Sequence, residues 1–250
     1  MSTRFSEHAT RDMTAVDEAV DTGLLRQVPL LAGLEDDLLA RLVPICSSIM
    51  VAEGEQIAGQ GEQCEYAFMV LSGQVALVNV APNGDTAVVE VIHPGEQFFL
   101  STVLSGLSLL VSAQAVAPAR LLRLEAAGIM ALLPSQPALT SALLRAGAMD
   151  FRSMVRQVCD LKLRTTAQRL GCYLLSLSTS ENANSVALRL PFDKRLLAAR
   201  LGCRQENLSR AFAALRSVGV ETHGSRVILH DVARLRDYAV PDAPAEAGLA

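Results

Sequence analysis

The spacing of apolar residues changes along the chain, and each change marks a different class of element. Residues 1–22 show no regular spacing and read as a flexible lead-in. From Glu35 the run EDDLLARLVPI has helical spacing, with acidic residues in its first turn, where they suit the helix dipole. From Ser48 to about Leu124 the texture becomes short apolar runs (YAFMVLSG, QVALVNV, TAVVEVI, ARLLRL). Gly54, Gly59, Gly61, Gly73, Gly84 and Gly95 punctuate this region. The step PNGD at 82–85 predicts a hairpin turn, because Asn-Gly supplies the positive φ angles that such turns require. Short strands at regular spacing predict a small antiparallel sandwich or barrel.

After Pro134 the spacing becomes helical. Leu144, Phe151 and Val158 recur every seven residues, and Gly147, Met154 and Leu161 do the same with an offset of three. That is an a/d seam, whose natural use is pairing with a second copy. The other reading is a single amphipathic helix packed on its own domain. Gly147, which allows close approach, and the flanking Arg145, Arg152 and Arg156 favour pairing. A further helix, TTAQRLGCYLLSLS, precedes the polar linker TSENANS.

Residues 190–216, LPFDKRLLAARLGCRQENLSRAFAALR, read as two short helices joined by a tight turn. Leu196, Leu197 and Leu201 form the apolar face of the first, which Gly202 ends. The second starts near Arg204 and buries Leu208, Phe212 and Leu215. Its other face carries Arg204, Gln205, Glu206, Ser209, Arg210 and Arg216, side chains able to bond base edges and phosphates. A helical hairpin with a solvated face has the same pattern. A helix-turn-helix that reads DNA is the sharper reading. Beyond it, SVGVETHGSRVILHD predicts a two-stranded wing turning at Gly219 and Gly224, where His223 and Arg226 can approach phosphate. Residues 239–250 read as a flexible tail.

Charge shifts the balance toward DNA. The net charge of −4 over 250 residues conceals a division: residues 1–140 hold 6 basic and 16 acidic side chains, residues 186–236 hold 10 basic and 4 acidic. An acidic body with a basic C-terminal module suits a protein that offers only that module to a polyanion. The start of the chain lacks a signal peptide's apolar core, and no apolar run is long enough to span a membrane, which predicts a cytoplasmic protein without membrane contact. Cys46, Cys64, Cys159, Cys172 and Cys203 are scattered without zinc spacing and read as free thiols, a redox role for one being the alternative. No G-x-S-x-G, P-loop, H-E-x-x-H or paired-carboxylate pattern nominates a reaction, so a non-enzyme is expected.

In this order of parts, the chain resembles the CRP/FNR family of bacterial transcription regulators over about residues 24–238. The roll carries the family's G-E-Q-I (54–57), Q-G-E (60–62) and F-M-V-L-S-G-Q-V (68–75). In QENLSR, Glu206, Ser209 and Arg210 match the E-x-x-S-R pattern with which the FNR branch reads its half-site. The resemblance implies an α+β fold: an N-terminal antiparallel β-roll (a cyclic-nucleotide-binding-like jelly roll), a long dimerisation helix and a C-terminal winged helix-turn-helix. The expected boundaries are 1–22 lead-in, 23–134 sensor, 135–163 dimer helix, 164–238 DNA-binding domain and 239–250 tail. It further implies a homodimer on an inverted repeat of TTGAT-like half-sites, with RNA polymerase as a partner. Gln205 departs from the small apolar residue usual in that branch and leaves the outer half-site bases open. Base reading is expected from Gln205, Glu206, Ser209 and Arg210, and phosphate contact from Lys194, Arg204, Arg216 and Arg226. A signal in the roll would shift the hinge between Leu161 and Thr166, where Arg164 and Thr165 lie without an assigned role. A signalling adaptor whose winged helix binds protein is the competing class, and steep salt dependence would exclude it.

The sensor half departs from its relatives. Members that bind cAMP carry Gly-Glu and Arg-Ser pairs, and the corresponding positions here are Phe99 and Leu100, then Val111 and Ser112. Burying a phosphate without a cation costs several kcal/mol, on the order of a lost buried ion partner, so the usual nucleotide mode is disfavoured. An iron–sulfur cluster is disfavoured because no cysteine precedes Cys46, and the carbon-monoxide-type haem site because its Cys and His positions are Phe99 and Ser101. Another haem arrangement, with His8 or His93, stays open. Phe98, Phe99, Leu100, Val111 and Ser112 are then either core packing or the wall of a pocket for an unidentified apolar or weakly polar effector, with Ser112 as a polar anchor; the third reading is no ligand at all, activity being set by abundance or by a thiol.

Overall fold

In the computed structural model the described residues are 20–81, 83, 86–178, 185–190 and 194–240. The chain divides into two compact units, residues 1–152 and 153–250. In the first, α1 (Thr22–Arg26) is capped by the Asp21 carboxylate, which accepts from the Leu24 N–H at 2.7 Å. Asp36 and Asp37 open α2 (Asp36–Leu42), and Arg26 pairs with Asp36. Then come β1 (Cys46–Val51), β2 (Gln56–Ala58), β3 (Tyr66–Val80), β4 (Thr86–Ile92) and β5 (Gln97–Phe98). They are followed by α3 (Leu100–Ser105), β6 (Ser112–Glu125), α4 (Ala126–Leu132) and α5 (Pro137–Leu163).

The sheet runs β1-β6-β3-β4, with β2 on β6 and β5 on β3, all antiparallel. The long β3 and β6 pair from Tyr66↔Glu125 to Val78↔Ser112, with register shifts between Val70 and Val75. Such bulges let a long strand bend, so one pair lines much of the roll. Side-chain alternation serves two cores. Phe68, Val70 and Leu121 face the roll interior, whereas Met69, Leu122 and Leu124 face a cluster completed by Leu25, Leu39, Ile129 and Leu139. Both faces of β3 are therefore buried, which is why its sequence is nearly continuous in apolar residues. The predicted PNGD turn falls between β3 and β4, and Pro82, Gly84 and Asp85 lie outside the described residues.

The second unit contains the end of α5, α6 (Thr166–Ser176), β7 (Val186–Arg189), α7 (Lys194–Arg200) and α8 (Gln205–Leu215). The chain then forms β8 (Val220–His223), β9 (Arg226–Leu229) and α9 (Val232–Ala239). A core of Leu170, Leu174, Leu197, Leu208, Phe212, Leu215, Val227 and Leu235 holds them together. Two expectations change here. The wing has three strands, in the order β7-β9-β8, because Val186 and Leu188 alternate with polar or small neighbours and pair with Leu229 and Val227. The tail expected from residue 239 starts on a buried residue, since Ala239 ends α9 fully enclosed; residues 241–250, like most of the expected lead-in (1–19) and of the linker TSENANS, lie outside the described residues. No helix among the described residues is long and apolar enough to cross a membrane.

Candidate nucleic-acid interface

The turn between α7 and α8 is built by hydrogen bonds that close a helix end. Gly202 adopts φ +61°, its N–H donates to the Ala199 carbonyl at 3.0 Å, and the Cys203 N–H donates to the Ala198 carbonyl at 2.9 Å. This paired closure satisfies carbonyls that the end of α7 would otherwise leave open. Arg204 then takes the N-cap position of α8 in an extended conformation. Its side chain has no acceptor, so the first N–H groups of α8 keep the partial positive charge that favours a phosphate.

Leu208, Ala211, Phe212 and Leu215 bury one face of α8, and Gln205, Glu206, Ser209 and Arg210 are exposed on the other. Glu206, Ser209 and Arg210 stand at i, i+3 and i+4, one above another. No ion pair joins Glu206 to Arg210 among the described residues. The mutual bracing that their spacing allows is absent.

The residues expected at phosphate lie on separate elements of the same unit. Lys194 is exposed at the start of α7, its Nζ 5.4 Å from the centre of the Phe212 ring. Arg216 caps α8 at its C-terminal end, and Arg226 is exposed on β9 between His223 and Arg189 of the neighbouring strands. Arg216 also borders an open depression of about 460 Å³ with Glu221, Thr222, His223 and His230. There the Glu221 carboxylate meets Nε2 of His230 and Nε2 of His223, each at 2.8 Å. The bond to His230 first, then that to His223, holds its pKa below the ordinary carboxylate value. Glu221 and His230 escaped the sequence reading, although alternation along β8 already places Glu221 and His223 on one face.

Along α5, Leu139 and Leu143 are buried, and the expected seam is exposed: Leu144 67%, Phe151 70%, Met154 40%, Val158 48% and Leu161 53%. A Cβ on Gly147 would meet nothing within 4 Å. Val155 extends the exposed apolar stripe. At the end of α5, Thr165 and Gln168 form a reciprocal capping box that starts α6, and Arg164 pairs with Asp160.

In the roll, Phe98 and Phe99 of the candidate effector set pack on one another, whereas Leu100 belongs to the second core cluster. The rings of Phe68 and Phe98 stack at 5.0 Å, and Phe99 meets Phe98 edge-on at 5.0 Å. Phe98, Phe99 and Leu100 are buried, and half-buried Val111 packs against the same interior. The Ser112 hydroxyl accepts from the Gln60 N–H at 2.9 Å. Phe99 holds φ +63° in front of α3, a conformation that favours glycine and costs a bulky residue about 1–3 kcal/mol. Between residues 42 and 144 the only cations are Arg120 and Arg123. They bond to the hydroxyls of Ser48 and Ser47, and Arg123 also lies over the Tyr66 ring. The residues present therefore do not fit a cyclic nucleotide held in the usual mode: Val111 offers its phosphate no cation, and Arg120 and Arg123 are engaged with Ser48 and Ser47. The backbone N–H of His93 donates to the Glu96 carboxylate, its ring Nδ1 bonds with the Gln74 amide, and His8 lies outside the described residues. No group of three or more His, Cys, Asp or Glu among the described residues could hold a metal ion.

A β-roll, a long helix and a winged helix-turn-helix with its outer face open define the class of transcription regulators built from a ligand-binding-type domain and a DNA-binding module. Residues 49–136 match the cyclic nucleotide-binding domain and residues 168–238 the Crp-like helix-turn-helix domain. A solved structure from Ruegeria pomeroyi, described as a candidate cyclic nucleotide binding protein, is 31% identical, covers 88% of this chain and 97% of its own, and superposes with a TM-score of 0.60. The nitrogen fixation regulation protein FixK of Azorhizobium caulinodans is 27% identical over 214 residues, 82% of this chain and 85% of its own. FixK2 from Bradyrhizobium japonicum shares the fold, with a TM-score of 0.68 at 22% identity over 80% of this chain and all of its own. The chain belongs to the CRP/FNR family of transcription regulators. Its named relatives are regulators, not enzymes.

Proposed function

We propose that this regulator acts as a homodimer on inverted-repeat DNA. The face formed by Gln205, Glu206, Ser209 and Arg210 reads TTGAT-like half-sites, while Lys194, Arg204, Arg216 and Arg226 hold phosphates. The observation that carries this reading is the exposed polar face of α8 opposite its buried apolar face, placed behind a tightly closed turn. Arg210 can donate two bonds to guanine O6 and N7, and Glu206 can accept from a cytosine amino group. The exposed stripe from Leu144 to Leu161 supports the dimer, since an a/d seam left open in one chain suits a second copy. The family relationship favours RNA polymerase as the further partner.

The signal sensed in the roll is not a cyclic nucleotide bound in the usual way, because Phe98 and Phe99 occupy the interior and Val111 offers phosphate no charge. On this reading residues 23–134 form the sensor, 135–163 the dimer helix and 164–238 the DNA-binding domain. A mobility-shift titration of Arg210→Ala tests the DNA assignment. Affinity for cognate sites should fall by about 1–3 kcal/mol while weak binding to random DNA stays nearly unchanged. Equal loss on both would remove Arg210 from base reading.

A further inference from the structure

The guanidinium of Arg169 on α6 joins two helix ends. Its Nε donates to the carbonyl of Leu201, at the end of α7, at 3.0 Å. Its NH1 donates to the carbonyl of Arg164, just past the end of α5, at 2.8 Å. Both acceptors stand at helix C-termini, where carbonyls lack intrahelical partners and partial negative charge collects. One half-buried cation thus ties the last turn of α5 to the turn from which α8 departs.

A steric contact lies beside this tie. A Cβ built on Gly202 would stand 2.7 Å from Cδ2 of Leu161, so the last seam residue rests directly on the glycine of the DNA-reading turn. The rest of the junction is braced too. Arg164 pairs with Asp160 one turn earlier and donates to the Val240 carbonyl at 3.0 Å, and Thr165 caps α6.

We propose that Arg169, together with the Leu161–Gly202 contact, is the positioning element that fixes the recognition helix relative to the end of the dimer seam. It touches no DNA in this role. Leu161 faces the second copy on one side and the turn on the other, so seam closure is felt at Gly202. Arg169 prevents the turn from sliding away along that contact. The proposal rests on the dimer reading above and assigns it a consequence: each dimer accepts only one separation between its two half-sites.

The test is half-site spacing. Sites selected by the wild-type protein from random DNA are lengthened and shortened by one base pair at the centre. Affinity is measured by fluorescence anisotropy, alongside dimer mass by sedimentation and unfolding by circular dichroism. One base pair moves the half-sites by about 3.4 Å along the axis and turns them about the helix, so a rigid wild-type dimer should lose roughly tenfold or more. Arg169→Gln removes the charge and shortens the reach, and should flatten this preference to about twofold or less while remaining dimeric. Arg169→Lys keeps the charge and can reach one carbonyl, so it should show an intermediate preference and serves if the glutamine variant does not fold. A merely destabilising change would weaken binding equally at every spacing, and that result for both variants would overturn the proposal. A wild-type protein with no spacing preference would instead overturn the dimer reading and the proposal with it.

Discussion

The phenylalanines of the roll and the polar residues of α8 are both candidate ligand contacts by their chemistry, yet the fold treats them oppositely. Phe98 and Phe99 turn inward and satisfy one another in a stacked and edge-on cluster. Glu206, Ser209 and Arg210 turn outward, and neither charge is spent on the other. A residue that has already found its partners contributes to stability. One left open on a rigid element is available to a ligand. The helix-turn-helix half of the molecule therefore displays its polar chemistry, and the roll has packed its aromatic rings away.

The most severe test of this contrast is Phe98→Ala. Emptying the stacked cluster should cost about 3–5 kcal/mol of stability, visible as a lower denaturant midpoint. Arg210→Ala, on an exposed face, should move that midpoint by roughly 0.5 kcal/mol or less while impairing DNA recognition. A Phe98→Ala protein of unchanged stability would show that the ring lines a space rather than fills a core.

Phe151→Asp comes next, and separates an exposed ligand surface from an exposed self-association surface. Truncating or charging a central aromatic in an interface costs about 2 kcal/mol or more, roughly thirtyfold in dimer dissociation. Sedimentation should show monomer at concentrations where the wild type is paired, with helix content retained. A variant that dimerises normally would place the interface elsewhere.

The titratable groups of the two halves differ in the same way. Burial in the roll pushes the Cys46 thiol up to about 12 from the ordinary 9.0. The unfolded chain then releases this proton first as pH rises. Stability should be whole below 9.0 and decline between there and about 12, and Cys46→Ser should flatten that decline in alkaline urea titrations. At the wing, partners rather than burial act on Glu221. Its depressed pKa contributes stability above the ordinary 4.5, lost as pH falls through the folded value below that. Because the carboxylate is fully exposed, the effect should be the smallest of the set: Glu221→Gln should separate slightly from wild type in mildly acidic urea titrations and rejoin it in strong acid.

Much of this was legible in the sequence. Leu208, Phe212 and Leu215 at helical spacing, after Gly202, marked the recognition helix, and β3 and β6 were visible as apolar runs between glycines. The helix α9 and the strand β7 were not singled out. Val186 and Leu188 alternate, but four residues are too few to distinguish a strand from the end of a linker. Val232 and Leu235 carry helical spacing, but a pair three apart directly after the predicted wing is too short a pattern to mark a helix. The candidate effector residues illustrate a different limit: Phe98, Phe99 and Leu100 have the same composition whether they line a cavity or close it.

By itself the amino-acid sequence determined the longer elements, the faces they bury and the polar set at Glu206, Ser209 and Arg210, because periodicity and side-chain chemistry are local properties. Only the tertiary structure decided that Phe68, Phe98 and Phe99 pack together in the roll interior, that Glu221 bridges His223 and His230, and that Arg169 spans from Leu201 to Arg164. Each depends on where distant backbone groups come to rest. A carbonyl carries no sequence signature, so a side chain that binds one is recognised only after the chain has folded around it.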